Sequence, residues 1–197
     1  MTATIAQIPP KVDIKERKPK RLVPLQSFFQ LYSNREDDFK YEWNKGVIEK
    51  TYRTMNRDQS TIQEELLAYF YSNPTFRSVC GFLVELDMYI PTANRTRRAD
   101  MAFLTRQQLE DSKTGDTSVA PFVIEVISSN DKINEVETKL TEYFENGVQV
   151  VWQIFPLINI VKVYTSVKNI TICSGEDVCS AAPFLPAFQM SVNQILR

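Results

Sequence analysis

The sequence contains no histidine. That absence removes Ser-His-Asp catalysis, Cys-His catalysis and His-ligated zinc from the chemistry open to the chain. Any metal must be held mainly by oxygen, which favours magnesium, manganese or calcium. Cysteine is scarce. Cys80, Cys173 and Cys179 are an odd number, lack CxxC spacing and follow no secretory signal, so buried thiols in a reduced cytoplasm are the expectation. No apolar run approaches the roughly 20 residues of a membrane helix. Neither sign of charge is in excess: 23 basic and 24 acidic residues leave a formal net charge of −1. Any attraction to nucleic acid must therefore come from a local basic patch or a bound cation.

What is present suits a soluble globular protein. A chain of 197 residues with 43% hydrophobic and 24% charged residues can bury a real core in one domain, with flanking tails. Residues 1–24 have little apolar periodicity, contain Pro9-Pro10 and carry the basic run "KVDIKERKPKRL". They are expected to form a flexible tail, and its lysines and arginines are of the type that touches phosphate. Residues 25–197 are then expected to form a single domain.

Within it, "LQSFFQLYSN" suggests a short helix bearing Phe28, Phe29 and Leu31, and "FKYEWNKGVIEKTYR" a hairpin turning at Asn44-Lys45-Gly46. "NRDQSTIQEELLAYFYSN" has Ile62, Leu66, Tyr69 and Phe70 at helical spacing, with Ser60 and Gln63 as a capping box. "CGFLVELDMYIPT" alternates like a half-buried strand, with Glu85 and Asp87 on the exposed face. "RADMAFLT" puts Asp100, Ala102 and Leu104 on one face of the next strand. A polar stretch, "RQQLEDSKTGDTSV", leads to "APFVIEV", apolar on both faces as a central strand requires. The clearest helix is "NDKINEVETKLTEYFENGVQ", with Asn130 or Asp131 as N-cap and Gly147 just past its end. Strands follow on either side of Pro156 and again in "NITICSGEDVCSA". The order implies an α/β or α+β fold, a mixed central sheet flanked by helices.

Glu125 is the anomaly in this pattern, because an unpaired carboxylate costs several kcal/mol or more to remove from water. Asp100 and Glu125 sit on inner strands among apolar neighbours, and two such acids can share a divalent cation that offsets the burial of both. Glu42, Glu85 or Asp87 could complete the oxygen set. Ordinary structural roles stand beside these: ion pairs of Glu125 or Asp100 with Arg97 or Arg98, a solvated hairpin Glu42, a cap built by Ser128 and Ser129, and a core position for Tyr143, Phe144 and Trp152.

The succession "YEWNKG", "RRADMAFL", "FVIEVISSND", "ETKLTEYFENGVQVVW" and "FLPAF" resembles the Uma-type putative restriction endonucleases, a branch of the PD-(D/E)XK nuclease superfamily. The resemblance runs from about Leu25 to Leu196 and rests on the order of the motifs rather than on any one of them. It implies a restriction-endonuclease-like fold and a magnesium- or manganese-dependent endonuclease hydrolysing phosphodiester bonds in DNA, working in the cytoplasm as a homodimer. Carried over, Asp100, Glu125 and Glu42 become metal-binding and catalytic acids, with Glu42 orienting the metal's water shell. The superfamily lysine expected two residues after Glu125 is Ile127 here, and its replacement is Lys139 on the following helix, ahead of Lys132 on the same flank. Ala99 stands where the family has proline, Lys45 where it has the hairpin aspartate, and Phe155 where it has an aspartate after the Trp strand. Lys45, Phe155, the weak net charge and the missing strand lysine motivate a second reading, a non-cleaving nuclease-fold protein that serves as a binding or assembly module. On that reading Lys45 pairs with Glu42 and competes with metal.

Overall fold

The computed structural model describes residues 22–33, 35–52, 57–113 and 119–197. Most of the expected tail lies outside them. Val23, near its end, is held on the hairpin: its N–H donates to the Gly46 carbonyl and its own carbonyl accepts from Trp43 Nε1 at 2.6 Å.

Helix α1 (Leu25–Leu31) buries Phe28 and leaves Leu31 exposed. It covers Tyr41 and Trp43 of strand β1 (Phe39–Asn44) in a small separate core. β1 turns through Lys45-Gly46, both at positive φ, into β2 (Val47–Tyr52), which is the two-residue hairpin turn that matches strand twist. Helix α2 (Arg57–Ser72) begins before the expected Ser60 capping box. A further helix, α3 (Pro74–Val79), starts from the Asn73 side chain capping Thr75 N–H. The long strands β3 (Cys80–Ile90) and β4 (Arg95–Thr105) pair along their whole lengths. The polar stretch read as a connection holds helix α4 (Arg106–Ser112), initiated by a Thr105/Gln108 capping box. It packs close on Gly81, where a Cβ would stand 2.5 Å from Leu109 Cδ1.

Strand β5 (Phe122–Val126), helix α5 (Ile133–Glu145) and strand β6 (Val150–Phe155) form the one parallel crossover of the sheet. The N-cap of α5 is Lys132, without a side-chain cap. Asp131 instead accepts from the Ser128 N–H and hydroxyl, and so tightens the turn that precedes the helix. Strands β7 (Ile160–Ser166) and β8 (Asn169–Ser174) extend the sheet, and β9 (Val178–Ala181) pairs with β10 (Leu185–Ser191) in a small second sheet. Helix α6 (Val192–Ile195) closes the chain.

The main sheet runs β2-β1-β4-β5-β6-β7-β8, with β3 on β4. It is a mixed, mostly antiparallel α/β (α+β) arrangement, as the sequence implies. One face is packed by α2, α3 and the β9–β10 pair around Phe103, Phe122, Trp152 and Phe188, with the rings of Phe82, Phe103 and Phe122 stacked in series at 4.5 Å. The other face is covered by α5 through Leu140 and Tyr143 on Val123 and Val151. All three cysteines are free and buried, as their number and spacing suggest. No described helix is long and apolar enough to cross a membrane.

Candidate active site

Strand β4 gives one edge entirely to β3, so β1 and β5 must share the other. β1 meets it at Asn44 beside Arg95, β5 at Met101 to Phe103, and between those contacts the two strands part. Side chains fill the fork. Glu42 Oε1 accepts the Arg98 N–H at 3.1 Å, and Asp100 Oδ2 accepts the Val126 N–H at 2.9 Å. At Glu85, facing this point from β3, the backbone turns to φ +50°. Carboxylates have taken over hydrogen bonds that a neighbouring strand's carbonyls would otherwise make, which satisfies the opened backbone.

The fork floors a groove of about 430 Å³ beneath the start of α5. Asp100, Glu125, Glu42 and Lys139 all line it, as does Lys132 at its rim. The four residues singled out by sequence are therefore brought together. Glu125, 7% exposed, accepts from Tyr143 Oη at 2.6 Å, and its Oε2 stands 3.6 Å from Lys139 Nζ. Lys139 Nζ is also 3.9 Å from Glu42 Oε1. Helical spacing places Lys139 and Tyr143 one turn apart on the same flank, which is why both reach one carboxylate.

Glu42 is committed on both oxygens. Oε2 lies 3.1 Å from Arg97 Nη1 and 3.7 Å from Arg95 Nη2, so the expected competition from Lys45 is not what engages it. Burial would raise its pKa, but Lys139, Arg97 and Lys40 outweigh that and hold it at about 2. Glu125 is displaced the other way, raised by burial and by the charge of Asp100 against the pull of Lys139 and Lys40. Two carboxylates of one site are thus driven apart in proton affinity by their surroundings.

The structural roles weighed for Arg97 and Arg98 resolve differently from expectation. Neither pairs with Glu125 or Asp100. Arg97, 2% exposed, is held by Glu142 Oε2 at 2.6 Å together with Glu42. Arg98 makes a two-pronged bond to Asp87, which also accepts from Ser33 Oγ, so the half-buried Asp87 turns its carboxylate to partners rather than to solvent.

Three contributors escape the sequence reading. Lys40 Nζ lies 3.3 Å from Asp100 Oδ1. Its burial disfavours the charge, but Asp100, Glu125 and Glu42 reverse this and raise its pKa. Its signal was available, since in "FKYEWN" Phe39, Tyr41 and Trp43 alternate with Lys40, Glu42 and Asn44, so Lys40 shares the face of Glu42. Tyr143 is both core and the hydrogen-bond donor to Glu125. Gln153 interrupts the apolar strand "VVWQIF" as Glu125 interrupts "APFVIEV", and it lines the same groove.

Among the described residues no three His, Cys, Asp or Glu side chains gather closely enough to hold a metal ion. The oxygen donors that fit a hard cation are the Asp100–Glu125 pair and the Gln153 carboxamide, whose Oε1 is buried without a hydrogen-bond partner. The groove lining carries seven acidic and five basic side chains. A phosphate entering it meets net negative charge unless a cation comes with it.

The profile of the Uma2 family, described as "Putative restriction endonuclease", matches residues 25–193. The chain belongs to the Uma2 family. Its fold is also that of a solved structure, described as a putative nuclease belonging to DUF820 from Anabaena variabilis. The two agree with a TM-score of 0.70 at 17% identity, over 88% of this chain and 97% of that one. No curated protein matches the chain in sequence. Uma2 membership supports a nuclease-like function, and the parting of β1 and β5 is where this Uma2 chain gathers its charged side chains.

Proposed function

We propose that the protein is a metal-dependent endonuclease that hydrolyses phosphodiester bonds in DNA, with Asp100 and Glu125 holding one divalent cation, magnesium or manganese. The observation that carries this reading is the acid pair on neighbouring strands β4 and β5, with a lysine on each side of it: Lys40 on Asp100 and Lys139 on Glu125. Bound there, the cation would supply charge stabilisation on the phosphate and make water more acidic. The residues do the rest. Lys139, held between Glu125 and Glu42, presents its ammonium toward the groove, where it can stabilise the phosphate oxygens and orient water. Glu42 anchors Lys139 and Arg97 at a fixed distance from the pair, and its low pKa keeps it charged while doing so. Tyr143 fixes one Glu125 oxygen and leaves the other toward Lys139. Lys40 balances Asp100 and stands ready as a second cation for phosphate.

Magnesium-dependent nicking of supercoiled plasmid tests the reading. Asp100→Asn and Glu125→Gln should each lower it by about a thousandfold, and Lys139→Met by about a hundredfold. Unchanged nicking in both acid variants would sink it. Cutting both strands needs two such centres, which a homodimer supplies; light scattering on the eluting species checks that expectation.

One observation favours a second reading, a non-cleaving binding or assembly module. Each acid already has its own ammonium group, Asp100 that of Lys40 and Glu125 that of Lys139, so the pair is balanced from within the chain. Failure of manganese to bind the purified protein, with plasmid left intact, would select this reading over the first.

A further inference from the structure

We infer that Gln153 Oε1 is the third protein oxygen of the divalent-cation site, beside Asp100 and Glu125; the inference rests on the metal-dependent reading above. Gln153 lies on β6 directly across from Glu125, in the parallel register that pairs Phe122 with Val150 and Glu125 with Gln153. On the other side of β5 the antiparallel register ends at Met101 with Ile124, one residue short of Asp100 and Glu125, and the Asp100 carboxylate reaches the Val126 N–H. The three residues lie on three adjacent strands and line one groove. Gln153 lines the groove and is 2% exposed.

A buried carboxamide oxygen is costly unless something is bound to it. None of the groups around Gln153 satisfies it. Its other cross-strand neighbour, Lys162, lays its ammonium over the Phe155 ring, 4.8 Å from the centroid. Tyr143 and Lys139 are turned to Glu125, and Lys40 to Asp100. Gln153 Oε1 is left without a donor. A leucine would fit the apolar faces of β6 with no such cost, which singles this oxygen out as a candidate ligand.

Beside two carboxylates, a neutral oxygen suits a divalent cation better than a further carboxylate would. Two carboxylates and one neutral oxygen match a charge of +2, and the cation binds there in competition with the ammonium groups of Lys40 and Lys139. Glu42 does not compete for the position. Its oxygens are taken by Arg97, Arg98 N–H, Arg95 and Lys139, and among the described residues no third carboxylate joins the pair.

The test is manganese binding by the full chain, followed by electron paramagnetic resonance, with the magnesium-induced rise in melting temperature as a second readout. Gln153→Leu should weaken manganese binding by about tenfold to a hundredfold and abolish most of the magnesium-induced rise, while the metal-free protein melts no lower than the wild type. Gln153→Glu keeps an oxygen in place and should bind manganese at least as tightly as the wild type. Gln153→Asn, which withdraws the oxygen by one methylene, should behave like the leucine variant and serves if that variant fails to fold. Manganese affinity of the leucine or asparagine variant within about twofold of wild type would overturn the inference and leave the nuclease reading standing. So would a loss in the glutamate variant as large as in the leucine variant, because the position would then matter for packing alone. A folded wild-type protein that binds no manganese would overturn both.

Discussion

Lys40 Nζ and Asp100 Oδ1 are 3.3 Å apart, across the gap that opens where β1 leaves the edge of β4. The ammonium occupies the side of Asp100 away from the backbone N–H of Val126, which is bonded to the other oxygen. A cation approaching Asp100 must therefore compete with Lys40, and a phosphate approaching the same place gains from it. Lys40→Met should tighten manganese binding by about tenfold, since a unit charge at this distance is worth more than 1 kcal/mol even when partly screened. It should also lower plasmid nicking by about tenfold or more. Parallel binding and cleavage measurements on the one variant check both directions.

Among the described residues the hydroxyl of Tyr143 is the one neutral donor to the Glu125 carboxylate. Tyr143→Phe leaves the aromatic packing on Val123 and Val151 but removes a hydrogen bond to a buried charge-bearing group. A loss of about 1–3 kcal/mol in urea unfolding is expected. A change below a few tenths would mean that Lys139 alone satisfies the carboxylate.

Arg97 is the most deeply buried cation of the site, and Glu142 is its nearest partner at 2.6 Å. Glu142→Ala should destabilise the fold by about 3 kcal/mol, because it leaves the guanidinium with Glu42 as its main counter-charge. The double variant Arg97→Met with Glu142→Leu should recover much of that loss, since neither charge then remains to be solvated. Thermal melts of the two variants and the wild type form the comparison. If the double variant is as unstable as the single one, the packing around the pair matters more than its charge.

Glu42 sets an acid limit on stability. Its pKa falls from 4.5 to about 2 on folding, so the folded state is favoured above the unfolded value and that advantage disappears as pH drops from about 4.5 through 2. The shift corresponds to roughly 3 kcal/mol. Glu125, raised by burial, works in the opposite sense and is relieved on acidification. Unfolding free energies measured from pH 5 to 2 should therefore fall more steeply for the wild type than for Glu42→Gln. Equal slopes would assign the acid limit to other carboxylates.

Much of this protein was legible along the chain. Periodicity marks α2 and α5 because each buries one face, and the hairpin is marked by its Lys45-Gly46 turn, which carries the positive φ angles that its residues suggest. Helices α3 and α4 were missed for a local reason. Both are short and lack an apolar stripe, and they are set by the Asn73 and Thr105 caps rather than by periodicity. The start of α5 went to Lys132 because the tight turn from Ser128 to Asp131 used the Asp131 carboxylate that would have capped it.

For the site, the sequence by itself determined the chemistry available: no histidine, and an acid buried in an apolar strand whose cost demands a partner. It also placed Lys139 on the helix after Glu125, while the contact of Tyr143 with the same carboxylate came only with the fold. What only the tertiary structure decided is which groups meet. Lys40 and Asp100 are sixty residues apart, and their contact exists because β1 and β5 divide one edge of β4. Arg97 and Arg98, adjacent in sequence, part to Glu142 and Asp87 because successive residues of a strand point to opposite faces. Gln153 reads as an ordinary polar residue until the parallel register of β6 sets it beside Glu125. Strand periodicity tells which face a residue takes, and the pairing of strands, a non-local event, tells whose company it keeps.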